Sequence, residues 1–329
     1  MTIDSVPTVS AVICTLDRPV LVLRAVKSIC AQSYRDIEIV VVMDGPNPAT
    51  RESLAAINDP RLRVVENPAT VGISNARNIG IRAARGEWIA MLDDDDEWLP
   101  EKLEKQMATA ALLRREDVVV LTLYYDRRGV REMIQPRRYP RPGQPISEYL
   151  FCEHPLLGSR ETFLQPSTWL VRRKFMVDHP FTPDMLFNED PDWLLRVVHD
   201  TDQQLVFVRE PLTIFHAEER RGRLSVSRTS GWNTTRQWII ERQHIFTPRA
   251  RSFLLVTICL RSCVESNSRI RDYVSILGDC YEYGVVTPKV LWLFVRTAFL
   301  FPALKHWAPT GLTTTLAKWA RSSWAGSDG

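Results

Sequence analysis

Residues 86–100 read Gly-Glu-Trp-Ile-Ala-Met-Leu-Asp-Asp-Asp-Asp-Glu-Trp-Leu-Pro, a hydrophobic strand pattern that runs directly into four carboxylates. A divalent cation such as Mg²⁺ or Mn²⁺ would relieve their mutual repulsion, because it prefers hard oxygen ligands and usually enters bound to a substrate phosphate. The run therefore indicates a phosphorylated substrate. The alternative is a solvated acidic turn. The core-type residues on both sides, 88–92 and 98–100, favour the cation.

The first 125 residues alternate apolar runs with helical patterns, which is typical of a parallel α/β sheet. The predicted strands are 9–14, 37–43, 62–65, 87–92 and 118–124, and the predicted helices are 19–30, 73–84 and 102–113. Open sheets of this kind bind ligands at the carboxyl ends of their strands. Three of these ends carry polar side chains, at 15–18, 44–45 and 93–96. We expect them to converge on one edge and form a site.

The pattern changes after residue 125. Residues 126–145 contain six arginines and four prolines, which predicts a loop that is either a solvated insertion or an electropositive rim for an anionic acceptor. Further strands are predicted at 167–171, 205–208 and 212–215, with a helix at 189–199 and a basic loop at 220–223. From residue 230 onward the pattern is helical.

Composition limits the class of protein. The 329 residues are 45% hydrophobic and 25% charged, which excludes a disordered chain. A formal net charge of +3 gives no reason to expect a nucleic-acid partner. The first seven residues lack the features of a signal peptide, so a cytoplasmic location is expected. The six cysteines form no CxxC pair, and we expect reduced thiols.

A nucleotide diphosphate needs contacts to its base, ribose and phosphates, and the strand ends offer each. Asp44 either accepts hydrogen bonds from a base or only begins an Asp-Gly-Pro turn. Arg77 either meets the base or phosphate or lies on a helix surface. Asp93 and Asp95 are one residue apart, so at an irregular strand end one reaches the ribose while the other binds a metal that neutralises the leaving diphosphate. His216 is either a metal or diphosphate ligand or a structural histidine.

Five motifs in order resemble the family-two glycosyltransferases. They are 9–15 with Arg18-Pro19, 28–45, 72–78, 86–96, and Asn188-Glu189-Asp190 with Arg196. The resemblance implies a GT-A fold, a nucleotide-diphosphate sugar donor, a divalent metal and inversion at the anomeric carbon. It implies the following roles: Thr15, Asp44 and Arg77 for the base, Asp93 for the ribose with Asp94 beside it, and Asp95 for the metal.

The resemblance also implies the general base. Direct displacement requires a base on the acceptor hydroxyl, and in the family this is the aspartate of the Glu-Asp pair, here Asp190. Glu189 and Asp192 are the neighbouring competitors, and all three acids also suit the positive end of a helix dipole. Because one base suffices for inversion, no covalent sugar–enzyme intermediate is expected.

The predicted function is an inverting, metal-dependent glycosyltransferase that uses Mn²⁺ or Mg²⁺. It is expected to move a sugar from a nucleotide-diphosphate donor, with a UDP-sugar as the first candidate, to a hydroxyl of a glycan or lipid-linked acceptor in polysaccharide or surface-glycan synthesis. One alternative is a sugar-nucleotide nucleotidyltransferase, although residues 14–19 lack the glycine-rich, lysine-containing loop that it would need. The other is a binding module of the same fold without turnover.

The predicted organisation is a donor-binding half at 1–125, an acceptor and base half at 126–229, and a helical region at 230–329. Within the last, the twelve residues 290–301 are apolar but too few to span a membrane. With lysines and tryptophans nearby, the segment fits an interfacial helix at the inner face of the cell membrane. The alternative, which we favour, is a buried helix of a C-terminal bundle.

Overall fold

The fold is described from a computed structural model, which covers residues 6–113, 115, 117–152, 162–185, 187–201, 203–217, 231–266 and 268–300. The chain divides into two compact units, Met1–Tyr139 with Glu161–Val226 and Pro140–Arg160 with Ser227–Gly329. The expected functional division at residues 125 and 229 stays a prediction.

The first unit is built on one mixed sheet. Its described strands are β1 (Val9–Thr15), β2 (Ile37–Met43), β3 (Leu62–Glu66), β4 (Trp88–Asp93), β5 (Glu97–Trp98), β6 (Val118–Arg128), β7 (Arg131–Gln135), β8 (Trp169–Arg172) and β9 (Gln204–His216). They lie in the order β3-β2-β1-β4-β8-β6-β9-β5, and β7 pairs with the last five residues of β6. Strands β1 to β4 are parallel, and β6 is parallel to β9. Strand β8 runs antiparallel to both neighbours, β4 and β6.

Helices cover the sheet and make up most of the second unit. The described helices are α1 (Pro19–Cys30), α2 (Pro48–Ala55), α3 (Ile73–Ala83), α4 (Lys102–Leu113), α5 (Ile146–Phe151), α6 (Arg173–Asp178), α7 (Glu189–Asp200), α8 (Gly231–Glu241), α9 (Pro248–Leu254), α10 (Leu260–Glu265), α11 (Ile270–Tyr283) and α12 (Pro288–Val295). All except α5 and α8 to α12 belong to the first unit. The predicted α/β class with a helical C-terminal region is confirmed.

The parallel strands form where the sequence predicts them, because they are buried on both faces and so are continuously hydrophobic. Every residue of β1 and β2 is buried. Helix α1 begins with proline at its first turn, where a missing N–H costs nothing. Gly80 lets α3 approach the sheet closely: a Cβ there would lie 2.6 Å from Val12 Cγ1 and 3.0 Å from Val42 Cγ2. These contacts fix α3 over β1 and β2.

The prediction of a loop at 126–145 is wrong for its first part. Strand β6 continues to Arg128 and turns through Gly129 (φ 58°) into β7. Ion pairs along the hairpin, including Arg127 with Glu132 (2.6 Å), neutralise part of its charge. Four of the five residues of β7 are exposed, so its sequence lacks the alternation of apolar and polar residues that predicts a strand. The predicted strands 205–208 and 212–215 are one strand, β9, with an irregular register near Pro211.

The second unit is helical as far as it is described. Arg236 on α8 pairs with the buried Asp279 on α11, with an Nη2–Oδ1 distance of 2.7 Å. Helix α12 continues into a π-helical turn, Arg296–Leu300. Of the apolar segment predicted at 290–301, residue 301 lies outside the described range, as do 302–329. Among the described residues, no helix has the length and apolar character that crossing a membrane requires. All six cysteines are free thiols, as predicted, and all except Cys30 are buried.

Candidate active site

The acidic run forms a tight turn between β4 and β5. The Asp96 N–H donates to the Asp93 carbonyl at 3.1 Å. Asp93, Asp95 and Asp96 each present a carboxylate oxygen, and the three oxygens lie within 4.8 Å of one another. Three hard oxygen donors at this spacing suit a divalent cation such as Mg²⁺ or Mn²⁺. The structure thus groups the expected metal ligand Asp95 with Asp93, for which the ribose was expected, and with Asp96.

Arginines compensate part of the charge of this turn. Arg18, which directly precedes α1, approaches Asp94 at 3.2 Å and Asp95 at 3.7 Å. Arg24 on α1 donates to the Asp95 carbonyl at 2.6 Å. The sequence analysis did not identify Arg24, which lies in the second turn of α1. A cation is therefore not the only source of positive charge at the turn.

The strand ends converge as expected. Thr15, at the end of β1, donates through Oγ1 to Asp94 Oδ2 at 2.8 Å. Its carbonyl accepts from the Asp44 N–H at 2.9 Å, which ties the ends of β1 and β2 together. Thr15 and Asp94 are both buried. The structure therefore brings these two expected donor-binding residues into direct contact, and their roles toward a nucleotide stay predictions.

Asp44 organises the loop that leads into α3. Its carboxylate accepts from the N–H groups of Val71 (2.8 Å) and Gly72 (3.0 Å) and from the side chain of Asn67 (3.2 Å). Gly45 follows with φ 118°, so the Asp-Gly turn is formed. The side chain has a clear structural role here, and a contact to a base stays a prediction.

Arg77 on α3 is buried and shared by three carboxylates. Its guanidinium lies 2.9 Å from Asp93 and 3.4 Å from Glu189, and it forms a close ion pair with Asp190. Its side chain is 3% exposed, so the alternative of a surface arginine is wrong. Arg77 thus links the end of β4 to the start of α7. Its expected contact to the base stays a prediction.

Asp190 lies in the first turn of α7, next to Arg77. Burial raises the pKa of its carboxyl to about 8; Arg77 acts in the opposite direction, and the Glu189 and Asp93 carboxylates add to the increase. The competitor Asp192 has a structural role, since it is fully buried and accepts from Thr182 (2.7 Å) and Arg196 (2.9 Å). The assignment of Asp190 as the general base stays a prediction.

His216 ends β9 beside the turn. Its Nε2 lies 2.7 Å from Oε1 of Glu97, the residue that follows the four aspartates. Among the described residues, the carboxylate group that could hold a metal consists of the three aspartates and leaves His216 out. The contact fits the structural alternative, and metal ligation by His216 stays a prediction. The basic loop expected at 220–223 lies outside the described residues.

Ser167 is a site residue whose role the sequence analysis missed. It precedes β8, and its hydroxyl contacts both ends of the acidic turn. Trp169, two residues later, is fully buried and stacks on Trp193 with ring centroids 5.1 Å apart. The sequence analysis could place this segment near a strand start, but no local pattern pairs a serine with an aspartate 71 residues away.

The sequence was compared with those of known proteins. Residues 10–179 match the Glycosyl transferase family 2. WcaA of Escherichia coli K12, described as a colanic acid biosynthesis glycosyl transferase, is 31% identical over 201 residues. That match covers 58% of this chain and 66% of WcaA, just under two thirds of the relative's length.

Solved structures share the fold. TarS 1-349 of S. aureus in complex with UDP-GlcNAc aligns with a TM-score of 0.60 at 19% identity, over 87% of this chain and 83% of TarS 1-349. The mannosyltransferase PcManGT of Pyrobaculum calidifontis, in complex with GDP-Man and Mn²⁺, aligns with a TM-score of 0.51 at 17% identity, over 97% and 81% of the two chains. Since the family match spans more than half of the sequence and the fold agrees, this chain belongs to glycosyl transferase family 2.

Proposed function

We propose that the protein is an inverting, divalent-cation-dependent glycosyltransferase that moves a sugar from a UDP-sugar to a hydroxyl of a glycan or lipid-linked acceptor, in polysaccharide or surface-glycan synthesis. One observation carries the proposal: the buried Arg77 contacts both Asp93 of the acidic turn and Asp190 of α7. The groups suited to the leaving diphosphate and to the attacking hydroxyl are therefore held on one guanidinium.

On the leaving-group side, Asp93, Asp95 and Asp96 would hold Mn²⁺ or Mg²⁺. The bound ion would neutralise negative charge that develops on the departing diphosphate. The spacing of the three carboxylates fits such an ion, and the PcManGT complex with GDP-Man and Mn²⁺ supports a metal in this fold. The TarS complex with UDP-GlcNAc supports a UDP-sugar as the donor. Thr15, Asp44 and Asp94 line the same edge and would contact the nucleotide.

On the acceptor side, Asp190 would take the proton of the attacking hydroxyl. Proton transfer is most efficient when the pKa of the base lies near the working pH, and burial places the pKa of Asp190 at about 8. Arg77 would orient the carboxylate through its ion pair. With one base and no second nucleophile required, displacement would invert the anomeric carbon.

A membrane location would bring the enzyme to a lipid-linked acceptor. The helix from Pro288 to Leu300 exposes Leu291, Trp292, Val295 and Phe299, each 43–50% accessible. Arg296 lies 5.3 Å from the Trp292 ring. An apolar face next to cationic side chains suits the membrane interface. We place peripheral contact with the inner face of the cell membrane on this helix.

The decisive experiment is release of nucleoside diphosphate from UDP-sugars by the purified chain, with acceptor extracts and Mn²⁺. Asp190→Asn is expected to lower kcat by about a hundredfold or more, because general-base catalysis contributes that much. Asp200→Asn, at the far end of the same helix, is the matched control and should act like the parent. Near-parental turnover by Asp190→Asn would overturn the assignment. Release of pyrophosphate from a nucleoside triphosphate and a sugar 1-phosphate, with no nucleoside diphosphate released from any UDP-sugar, would favour a nucleotidyltransferase.

A further inference from the structure

The Ser167 hydroxyl, which is not part of the acidic turn, forms hydrogen bonds with two of its residues. Ser167 lies in a single 3₁₀ turn, Pro166–Thr168, and is fully buried. Its Oγ accepts from the Asp93 N–H at 3.0 Å and donates to Asp96 Oδ2 at 2.6 Å. Asp93 and Asp96 are the first and last residues of the acidic run, so one hydroxyl contacts both of its ends.

The chemistry of a hydroxyl makes this contact directional. Serine has one proton to donate and lone pairs that accept. The proton is directed to Asp96, and the Asp93 N–H occupies a lone pair. Asp96 is 1% exposed, so water does not compete for this oxygen. The orientation of the Asp96 carboxylate therefore depends on Ser167.

Ser167 is itself held firmly by neighbouring strands. Its carbonyl accepts from Trp98 Nε1 on β5 at 2.8 Å and from Thr213 Oγ1 on β9 at 3.2 Å. The next carbonyl, of Thr168, accepts from Gln106 on α4 at 2.9 Å. These contacts come from three different elements. They fix the position of the 3₁₀ turn beside the acidic run.

We propose that Ser167 is a positioning residue, which sets the spacing of the Asp93, Asp95 and Asp96 oxygens for the divalent cation without touching the cation itself. This inference rests on the proposed metal dependence. It adds Ser167, which is not one of the three proposed ligands, to the residues on which cation binding depends. Outer contacts of this kind orient ligands, and their loss typically lowers metal affinity by about ten- to a hundredfold.

The test is direct titration of the full chain with Mn²⁺ alone, in which the electron paramagnetic resonance signal of the free ion measures how much Mn²⁺ is bound. Ser167→Ala should raise the Mn²⁺ dissociation constant at least about tenfold. Ser28→Ala is the matched control, because the Ser28 hydroxyl is also buried and also accepts a backbone N–H, that of Trp98 at 3.1 Å, but does not contact the acidic run. Ser28→Ala should bind Mn²⁺ like the parent, even if its melting temperature falls as much as that of Ser167→Ala.

Ser167→Cys is a second variant that keeps the side-chain shape with a weaker donor, and it is expected to weaken Mn²⁺ binding in the same direction. Asp95→Asn removes one of the proposed ligands and shows how far Mn²⁺ binding weakens when a direct ligand is lost. A dissociation constant within twofold of the parent for the folded Ser167 variants, or an equal loss in Ser28→Ala, would overturn the positioning role while leaving metal dependence intact. A parent chain that binds no Mn²⁺ would instead refute the metal dependence and the inference with it.

Discussion

At the scale of the single residue, Arg77 connects the acidic side chains of the candidate site. Three carboxylates converge on one guanidinium that is almost completely buried. Removing one partner of a buried ion pair leaves charge in a region of low dielectric without compensation. The geometry of the site and the stability of the fold are therefore linked through this side chain.

Arg77→Leu should lower the free energy of unfolding by about 3–5 kcal/mol, since it removes the buried partner of the Asp93 carboxylate. Urea unfolding followed by circular dichroism measures the change. Arg82→Leu, on the exposed side of the same helix, should stay within about 0.5 kcal/mol of the parent. Equal stabilities for the two variants would show that Arg77 does not compensate these carboxylates.

The pH dependence of activity tests Asp190 as the base. Burial raises the pKa of Asp190 to about 8, and a base acts only when ionised. Below that pKa, kcat/KM should therefore fall with decreasing pH by about tenfold per unit, because kcat/KM reports the free enzyme. Initial rates between pH 6 and 9 measure the profile. A flat profile between pH 6 and 8 is incompatible with this assignment.

At the scale of the element, the distance of α3 from the sheet places Arg77. Gly80, three residues after Arg77 on α3, lies against Val12 of β1 and Val42 of β2. The hydrophobic pattern of β1, β2 and α3 predicts that these elements pack together. It does not predict how closely, because closeness depends on the absence of one Cβ.

Gly80→Ala should destabilise the protein by about 1–3 kcal/mol, since its Cβ would lie 2.6 Å from Val12 Cγ1 and overpack the core. Gly278→Ala is the contrasting control: it lies in the interior of α11 with nothing within 4 Å of the added Cβ. It should stabilise the chain by about 0.5–1 kcal/mol through helix propensity. Thermal melts of both variants measure the two signs, and stabilisation by Gly80→Ala would contradict the close approach.

At the scale of the whole molecule, charge is distributed unevenly along the chain. Residues 283–327 contain no aspartate or glutamate, whereas Lys289, Arg296, Lys305, Lys318 and Arg321 fall within them. The overall charge of +3 hides this asymmetry. A cationic segment that also exposes apolar side chains favours an anionic lipid surface.

The full chain should therefore sediment with vesicles of phosphatidylglycerol and phosphatidylcholine more than with phosphatidylcholine alone. Replacing both Trp292 and Phe299 by serine should weaken this binding by about tenfold or more, through lost apolar burial. Ile270 and Val274, exposed on α11 at 65% and 63%, provide a control pair for the same substitutions. Equal binding by the two double variants would exclude the α12 face as the membrane contact.

The sequence by itself determined the parallel strands, the helices α1, α3 and α4 and the strand ends at which polar residues gather, because local sequence patterns identify buried strands and helix starts. It also placed Asp190 on a helix start. It did not predict helix α2. Only the tertiary structure decided that Arg77 joins Asp93 to Asp190, that Ser167 closes the acidic turn and that β6 and β7 form a hairpin. The partners Arg77 and Asp190 are 113 residues apart, and Ser167 and Asp96 are 71 apart. Such contacts depend on how the sheet brings distant segments together, and no short-range pattern carries that information.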